Sequence, residues 1–394
     1  MTQPVKNIAV VAPRFPEGPT VGGAETLLQQ FALRLAAAGY TVTFYTTCAR
    51  DHVTWRNELP PGACMTGGVR VLRFPVDEDR DLDAFLRAQQ RISLGREVTP
   101  DDEQAWMRNN VNSRALIDAL ARDADGLDRV LAGPYLFSLV VRAAAVCPGK
   151  TLLVPCLHDE PFAYLSAIAE LFRHVRGCLF NAAPERALAE RLFGPLPGVR
   201  AVVGLGMDPF DSDPGATARR LGLAAPYVLY AGRREPLKGT PLLLDYLAAF
   251  RARTARDLHL VLTGAGPVEP PASLRGAVHD LGFVSEREKH DAMAGALAFC
   301  HPSVNESFGI VLLEAWLAGT AALVHAGSAV LVHQCRRSNG GLWFRTYPEF
   351  EEELLLLWDE PETHRALAAA GRQFVREEYA WPVVEARLIE ALAR

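Results

Sequence analysis

The stretch Glu306-Ser307-Phe308-Gly309-Ile310-Val311-Leu312-Leu313-Glu314, followed by Ala315-Trp316 and Gly319, decides the reading of this chain. A polar pair, Asn305 and Glu306, meets a glycine, and an amphipathic run with a second glutamate follows. Ser307 is a good helix N-cap, and Gly309 lets a ligand approach the backbone. A helix starting here points its first unpaired amides outward, which makes an anion site. Glu306 and Glu314 stand eight positions apart. If both are near-helical, they lie about 12 Å apart along the axis. That is too far to share one metal ion or one proton. It suits a grip on two ends of an elongated ligand, such as the sugar and the ribose of a nucleotide-sugar. For one glutamate alone, a capped helix with a solvated charge explains the pattern as well.

Around this stretch the chain alternates strands and helices. In the first half, 7–12, 41–47, 69–74, 127–132, 151–155 and 178–181 read as strands. Residues 24–38 read as a helix with Leu27, Leu28, Phe31 and Leu35 on one face, stopped by Gly39. The polar segment 77–122 carries Phe85, Ile92, Trp106, Leu116 and Leu120 at helical spacing and reads as a helical insertion. A second series, 227–231, 258–263, 278–284, 297–301 and 320–325, follows a Gly-, Asp- and Pro-rich linker at about 204–214. Residues 362–378 and 382–394 read as amphipathic helices. Strands separated by helices imply parallel sheets covered on both faces.

At 394 residues the chain can hold two domains with a good core each. Its 49% hydrophobic and 22% charged content is ordinary for a soluble globular protein, and its formal net charge is −5. No basic stripe is interleaved with aromatics, so no nucleic-acid partner is expected. The seven cysteines are scattered, with no C-x-x-C and no zinc-type Cys/His spacing, which points to a reducing compartment. The first residues run into a strand without a signal-peptide core. The apolar run 139–146 is broken by Arg142, and nothing approaches a membrane span. The expected location is cytoplasmic. A peripheral contact with the inner face of a membrane stays open.

Four further constellations sit at strand ends. Arg233 and Lys238, five apart in Ala231-Gly232-Arg233-Arg234-Glu235-Pro236-Leu237-Lys238-Gly239, are placed to clamp a diphosphate. Solvated surface cations are the bland alternative. Gly22-Gly23-Ala24-Glu25 opens the first helix, where adjacent glycines admit a ligand to the backbone, or simply make a tight turn. His158, in Leu157-His158-Asp159-Glu160, follows a strand and faces a ligand crevice, or bonds the next loop. Leu262-Thr263-Gly264-Ala265-Gly266-Pro267 fails as a dinucleotide fingerprint, because Glu269 takes the third glycine position and prolines follow. No carboxylate, histidine or cysteine cluster shows metal-ligand spacing, so no metal is expected.

The run from His301-Pro302-Ser303 through Gly319 resembles the E-x7-E signature of retaining GT-B glycosyltransferases of family 4 (glycosyltransferase group 1). The run 231–239 is similar to that family's G-R-x-x-x-x-K-G motif, and Gly22 to Glu25 to its G-G-x-E loop. The resemblance implies an α/β GT-B fold: two Rossmann-like, doubly wound parallel-sheet domains facing a central cleft. Residues 1–204 would bind the acceptor, 205–378 the nucleotide-sugar donor, and a helix at 379–394 would cross back to the first domain. Glu306 would touch the donor sugar and Glu314 the ribose. The amides from Phe308 through Gly309 and Ile310 to Val311, with Ser307, would lie near the diphosphate held by Arg233 and Lys238. Gly22 and Gly23 would lie over that diphosphate. Gly264 would border the nucleotide pocket, and the backbone of Phe283 and Val284 would read the base. His158 would lie near the anomeric carbon, and Glu185 would be a first-turn charge. The implied activity is transfer of a hexose from a UDP- or GDP-sugar to a sugar, glycolipid or other hydroxylated acceptor. Anomeric configuration would be retained, and no cofactor would be needed beyond the donor substrate. Gly319-Thr320-Ala321 departs from the family's Gly-x-Pro, and residues 50–122 match no general family motif. The rivals are a catalytically silent sugar-nucleotide-binding protein and a nucleotide-sugar epimerase on the same scaffold.

Overall fold

The computed structural model describes residues 5–17, 22–52, 54–234 and 238–394. The chain divides into two compact units, residues 1–204 with 385–394, and residues 205–384.

The first unit is built on eight strands: β1 (Asn7–Val11), β2 (Thr41–Thr47), β3 (Gly62–Thr66), β4 (Val69–Phe74), β5 (Arg129–Ala132), β6 (Thr151–Leu153), β7 (Gly177–Phe180) and β8 (Val199–Val202). Their order is β3-β4-β2-β1-β5-β6-β7-β8, and only β3 runs antiparallel. Four of the five β1 residues and all of β7 are buried, as a sheet covered on both faces requires. The expected insertion is helical, in three pieces: Leu82–Ser93, Pro100–Asn109 and Arg114–Asp123. Asp81, Thr99 and Ser113 cap them through their side chains. Ile92, Trp106, Leu116 and Leu120 from these helices enter one core with Tyr45, Val130, Leu139 and Phe172.

Strands β3 and β8 have no counterpart in the sequence reading. β3 is an exposed edge with no alternation of buried residues. It pairs with β4 through Gly67 and Gly68, both at positive φ, the geometry of a two-residue hairpin turn.

The second unit carries β9 (Tyr227–Ala231), β10 (His259–Thr263), β11 (Val278–Asp280), β12 (Ala298–His301), β13 (Ala322–His325) and β14 (Gly341–Phe344). All are parallel, in the order β11-β10-β9-β12-β13-β14. Chain direction across the sheet reverses between β9 and β12, so the crevice outside the carboxyl ends of these two strands is the expected ligand site. β14 was not anticipated. β11 is shorter than the strand expected at 278–284. Gly282 turns the chain at φ 65°, and its amide donates to Asp280 Oδ1 at 2.7 Å, so the pairing stops at Asp280.

The last helix, Trp381–Ala393, begins in the second unit and ends in the first. Leu388 and Leu392 are fully buried, each contributing about 2 kcal/mol by burial. Arg129 Nε donates to Leu392 O at 2.9 Å. Among the described residues, no helix is long and apolar enough to cross a membrane.

Candidate active site

β9 and β12 end side by side in the second unit, and their loops bring Lys238 and Glu306 together. Lys238 Nζ donates to Glu306 Oε1 at 2.7 Å and to Asn305 O at 3.3 Å. His301, the last residue of β12, places Nε2 3.2 Å from the same Oε1, without the alignment of a hydrogen bond. The Glu306 side chain is only 14% exposed. Burial pushes its carboxyl pKa up, but His301 and Lys238 outweigh burial and hold it well below the usual carboxylate range. Sequence reading gave Lys238 and Glu306 separate tasks and gave His301 none. The structure joins all three. Arg233 is exposed on the same loop, and Glu235, Pro236 and Leu237 lie outside the described residues.

Ser307 does not cap the following helix. The helix is Ile310–Ala318, and its N-cap is Gly309 at φ 83°, ψ 54°, with no side-chain cap. The chain turns through a left-handed conformation that glycine adopts without strain, so the helix starts after Gly309. A Cβ there would also come within 2.6 Å of Leu331. Glu306 therefore lies outside the helix, and the separation of the two glutamates along one axis does not apply. The amides of Ile310 and Val311 precede the ladder that starts with Leu312 and Leu313 on Gly309 O. Phe308 is buried edge-on against Tyr379, ring centroids 5.2 Å apart, and anchors the turn from below.

Glu314 sits in the middle of this helix and is buried. Lys289 Nζ lies 3.0 Å from both of its oxygens and donates to Glu286 Oε2 at 2.8 Å. Burial raises the Glu314 pKa, and Lys289 only partly offsets it. Among the described residues, Glu286, His290 and Glu314 each bring one potential metal-ligating atom within 4.8 Å of the others. The sequence reading missed this group, because Glu314 comes from another helix. Both carboxylates already share the Lys289 ammonium. His290 stacks on Phe210 at 3.5 Å, and burial followed by Lys289 lowers its pKa to about 4.

Gly264 packs loop on loop. A Cβ at its φ of 114° would meet Gly232 O at 2.1 Å. Arg234, which is off the family pattern, is buried and braces these loops. Its Nε donates to Gly266 O at 2.8 Å and its Nη1 to Asp280 Oδ1 at 2.7 Å. Phe283 is exposed and Val284 half-buried, both past the end of β11 rather than within a strand.

The remaining candidates belong to the first unit. Gly22 is the N-cap of the helix Gly23–Ala37. Glu25 is buried against Arg14, which donates to it through Nε at 2.8 Å and through Nη2. Arg14 was not anticipated. Its side chain spans the end of β1, the first turn of that helix and Arg50 O. His158 follows β6, about a quarter exposed, with Nδ1 3.7 Å from Glu160 Oε1. Glu160 accepts from Tyr135 Oη at 2.7 Å. Asp159 is tied to Arg191 Nη2 at 2.5 Å and Tyr164 Oη at 2.8 Å. Glu185 is more than a first-turn charge. It accepts from the amides of Leu157 at 2.7 Å and Asn181 at 2.5 Å, and burial pushes its carboxyl up to about 8. An arginine-lined depression of Arg176, Arg186 and Arg200 lies at the amino ends of β7 and β8, whereas His158 follows the carboxyl end of the neighbouring β6.

The profile of "Glycosyl transferases group 1" matches residues 219–374, the segment carrying Lys238, Glu306 and Glu314. A D-inositol 3-phosphate glycosyltransferase of Saccharomonospora viridis is 27% identical over 331 residues, covering 76% of this chain and 72% of that protein. A phosphatidyl-myo-inositol mannosyltransferase of Mycolicibacterium smegmatis is 40% identical over 102 residues, covering 24% of this chain and 26% of that protein. The structure of Anabaena HepE in complex with UDP and glucose superposes with a TM-score of 0.68 at 16% identity, covering 98% of this chain and 99% of that one. The two parallel-sheet units have the GT-B fold of these glycosyltransferase structures, and residues 219–374 are similar in sequence to the group 1 glycosyl transferases.

Proposed function

We propose that this protein is a group 1 glycosyltransferase that takes a hexose from a UDP- or GDP-sugar, binds that donor on its second unit, and retains the anomeric configuration. The observation that carries the proposal is the meeting of Lys238, Glu306 and His301 at the reversal point between β9 and β12. A cation and a carboxylate kept ionised meet there, and the helix Ile310–Ala318 starts just after Glu306 in the chain. Arg233, Lys238 and the amides of Ile310 and Val311 meet the charge that develops on the departing diphosphate. Those groups supply what a divalent metal supplies elsewhere, so the reaction runs without one. Glu306, kept ionised by its neighbours, accepts from donor-sugar hydroxyls, and Glu314 accepts from the ribose. Phe283 and Val284 border the base.

The first unit binds the acceptor. The relatives named for inositol 3-phosphate and phosphatidyl-myo-inositol support a polyol, sugar or glycolipid hydroxyl. The incoming hydroxyl enters on the face the diphosphate leaves, and the diphosphate helps take its proton. The protein works in the cytoplasm, with peripheral contact at a membrane when the acceptor is a lipid.

The test is a thermal-shift panel of UDP, GDP and their sugars, followed by product analysis. A nucleotide present at about 100 times its Kd raises stability by about 2.7 kcal/mol. Slow release of nucleoside diphosphate without acceptor marks an enzyme rather than a silent binder. Conversion of the free donor sugar to its epimer would identify an epimerase instead.

A further inference from the structure

One buried side chain of the proposed donor site, His301, has no well-aligned hydrogen bond, and any further role for it rests on the donor binding there. His301 is 4% exposed and lies beside the rings of Phe299 at 5.6 Å and Tyr230 at 6.4 Å. Neither of its ring nitrogens makes a hydrogen bond. Buried polar side chains are as a rule paired, so an imidazole without an aligned hydrogen bond at a ligand site needs a reason. Its Nε2 is 3.2 Å from Glu306 Oε1, the oxygen that also takes Lys238 Nζ at 2.7 Å.

Two groups thus compete for one carboxylate oxygen, and one of them is wanted elsewhere. Lys238 cannot serve both Glu306 and a donor diphosphate at full strength. A lysine ammonium on a flexible four-carbon stem turns readily toward the more highly charged partner. Once it turns, Glu306 is a largely buried carboxylate without its cation, a costly state unless another donor takes over. We propose that His301 is the positioning residue for Glu306: its imidazole is the contact that stays on the carboxylate when Lys238 swings to the donor diphosphate. A small ring rotation aligns Nε2–H with Oε1, with the proton on Nε2 in the tautomer that does this. The carboxylate then keeps its aim at the sugar hydroxyls throughout the exchange.

The experiment is a double-mutant cycle on the full chain with His301→Leu, His301→Gln and Glu306→Gln. UDP and GDP affinities are measured by calorimetry. Turnover is the release of nucleoside diphosphate from the UDP- or GDP-sugar that gives the largest thermal shift, and folding is followed by thermal melts. His301→Leu is expected to leave nucleoside diphosphate affinity within about twofold and to lower kcat about 100-fold, the scale of a mispositioned reacting group. His301→Gln, which keeps a donor near the Nε2 position, restores part of that loss. In the Glu306→Gln background either His301 change costs little more, because the group it positions is already altered. Wild-type turnover in His301→Leu overturns the inference, as do equal losses in both backgrounds. Should the leucine variant not fold, additive losses for His301→Gln and Glu306→Gln overturn it instead. A wild-type chain that binds neither UDP nor GDP overturns the donor site itself, and this role with it.

Discussion

Lys238 Nζ and Glu306 Oε1 are 2.7 Å apart although 68 residues separate them in sequence. The contact closes the loop after β9 onto the loop after β12. It also means that the lysine proposed for the diphosphate is already committed to a carboxylate before any donor arrives.

Lys238→Ala should therefore have two effects. Nucleoside diphosphate affinity falls by about 2–3 kcal/mol, the scale of a charge-assisted contact. The melting temperature falls as well, because Glu306 loses its ammonium. Arg233→Ala is expected to show a similar affinity loss with little change in melting, since Arg233 is exposed. Calorimetry and thermal melts of the two variants separate these outcomes, and unchanged affinity in both would remove the clamp.

The two glutamates should separate in the same assays. Glu314→Gln weakens UDP or GDP binding, because ribose is common to donor and product. Glu306→Gln lowers turnover and leaves nucleoside diphosphate affinity intact or improved, since it frees Lys238. Equal losses of nucleotide affinity would contradict the division of labour.

Glu185 gives a pH signature in the first unit. Its carboxyl is raised by burial to about 8 in the folded chain, against an ordinary value of 4.5. Between these values the folded state holds a proton that the unfolded state has lost. Stability from this group is full below 4.5, declines as pH rises toward 8, and is lost above it. The span is at most about 5 kcal/mol. Glu185→Gln should flatten the fall in melting temperature across that window, and an unchanged slope would contradict the burial effect.

Chelation tests the proposed electrostatic catalysis. Activity should survive excess EDTA, and His290→Gln should change it little. Abolition by EDTA with rescue by Mn²⁺ or Mg²⁺ would instead assign Glu286, His290 and Glu314 to an ion.

The anomeric outcome is decided by proton NMR of the first-formed product. An α-linked donor should give an α-linked product, and His158→Ala should lower turnover strongly with less effect on nucleotide binding. A β-linked product would point to Asp159 or Glu160 as a general base.

The parallel sheets were legible because their strands are short apolar runs with helical segments between them, as at Tyr227–Ala231 and Thr41–Thr47. β3, β8 and β14 were not, being short or exposed edge segments without a hydrophobic rhythm. The loops bearing Arg233, Lys238 and Glu306 announced themselves by glycines at strand ends. Their partners did not. Lys289 reaches Glu314 from another helix, and Arg14 reaches Glu25 from the end of β1. Such pairs exist only after the chain has folded, so no local spacing encodes them. Ser307 illustrates the reverse case: a favourable cap in isolation, displaced because the backbone turns at Gly309.

The helix Trp381–Ala393 sets an order of assembly on the ribosome. The first unit is translated first, yet Leu388 and Leu392, which belong to its core, emerge after the whole of the second unit. The second unit can finish folding on its own contiguous segment, while the first waits with an open apolar face until the last helix arrives. Cutting the gene at the boundary near Gly204 would release a first half lacking that helix, so separate expression of the halves calls for a circular permutation that restores residues 385–394 to the first.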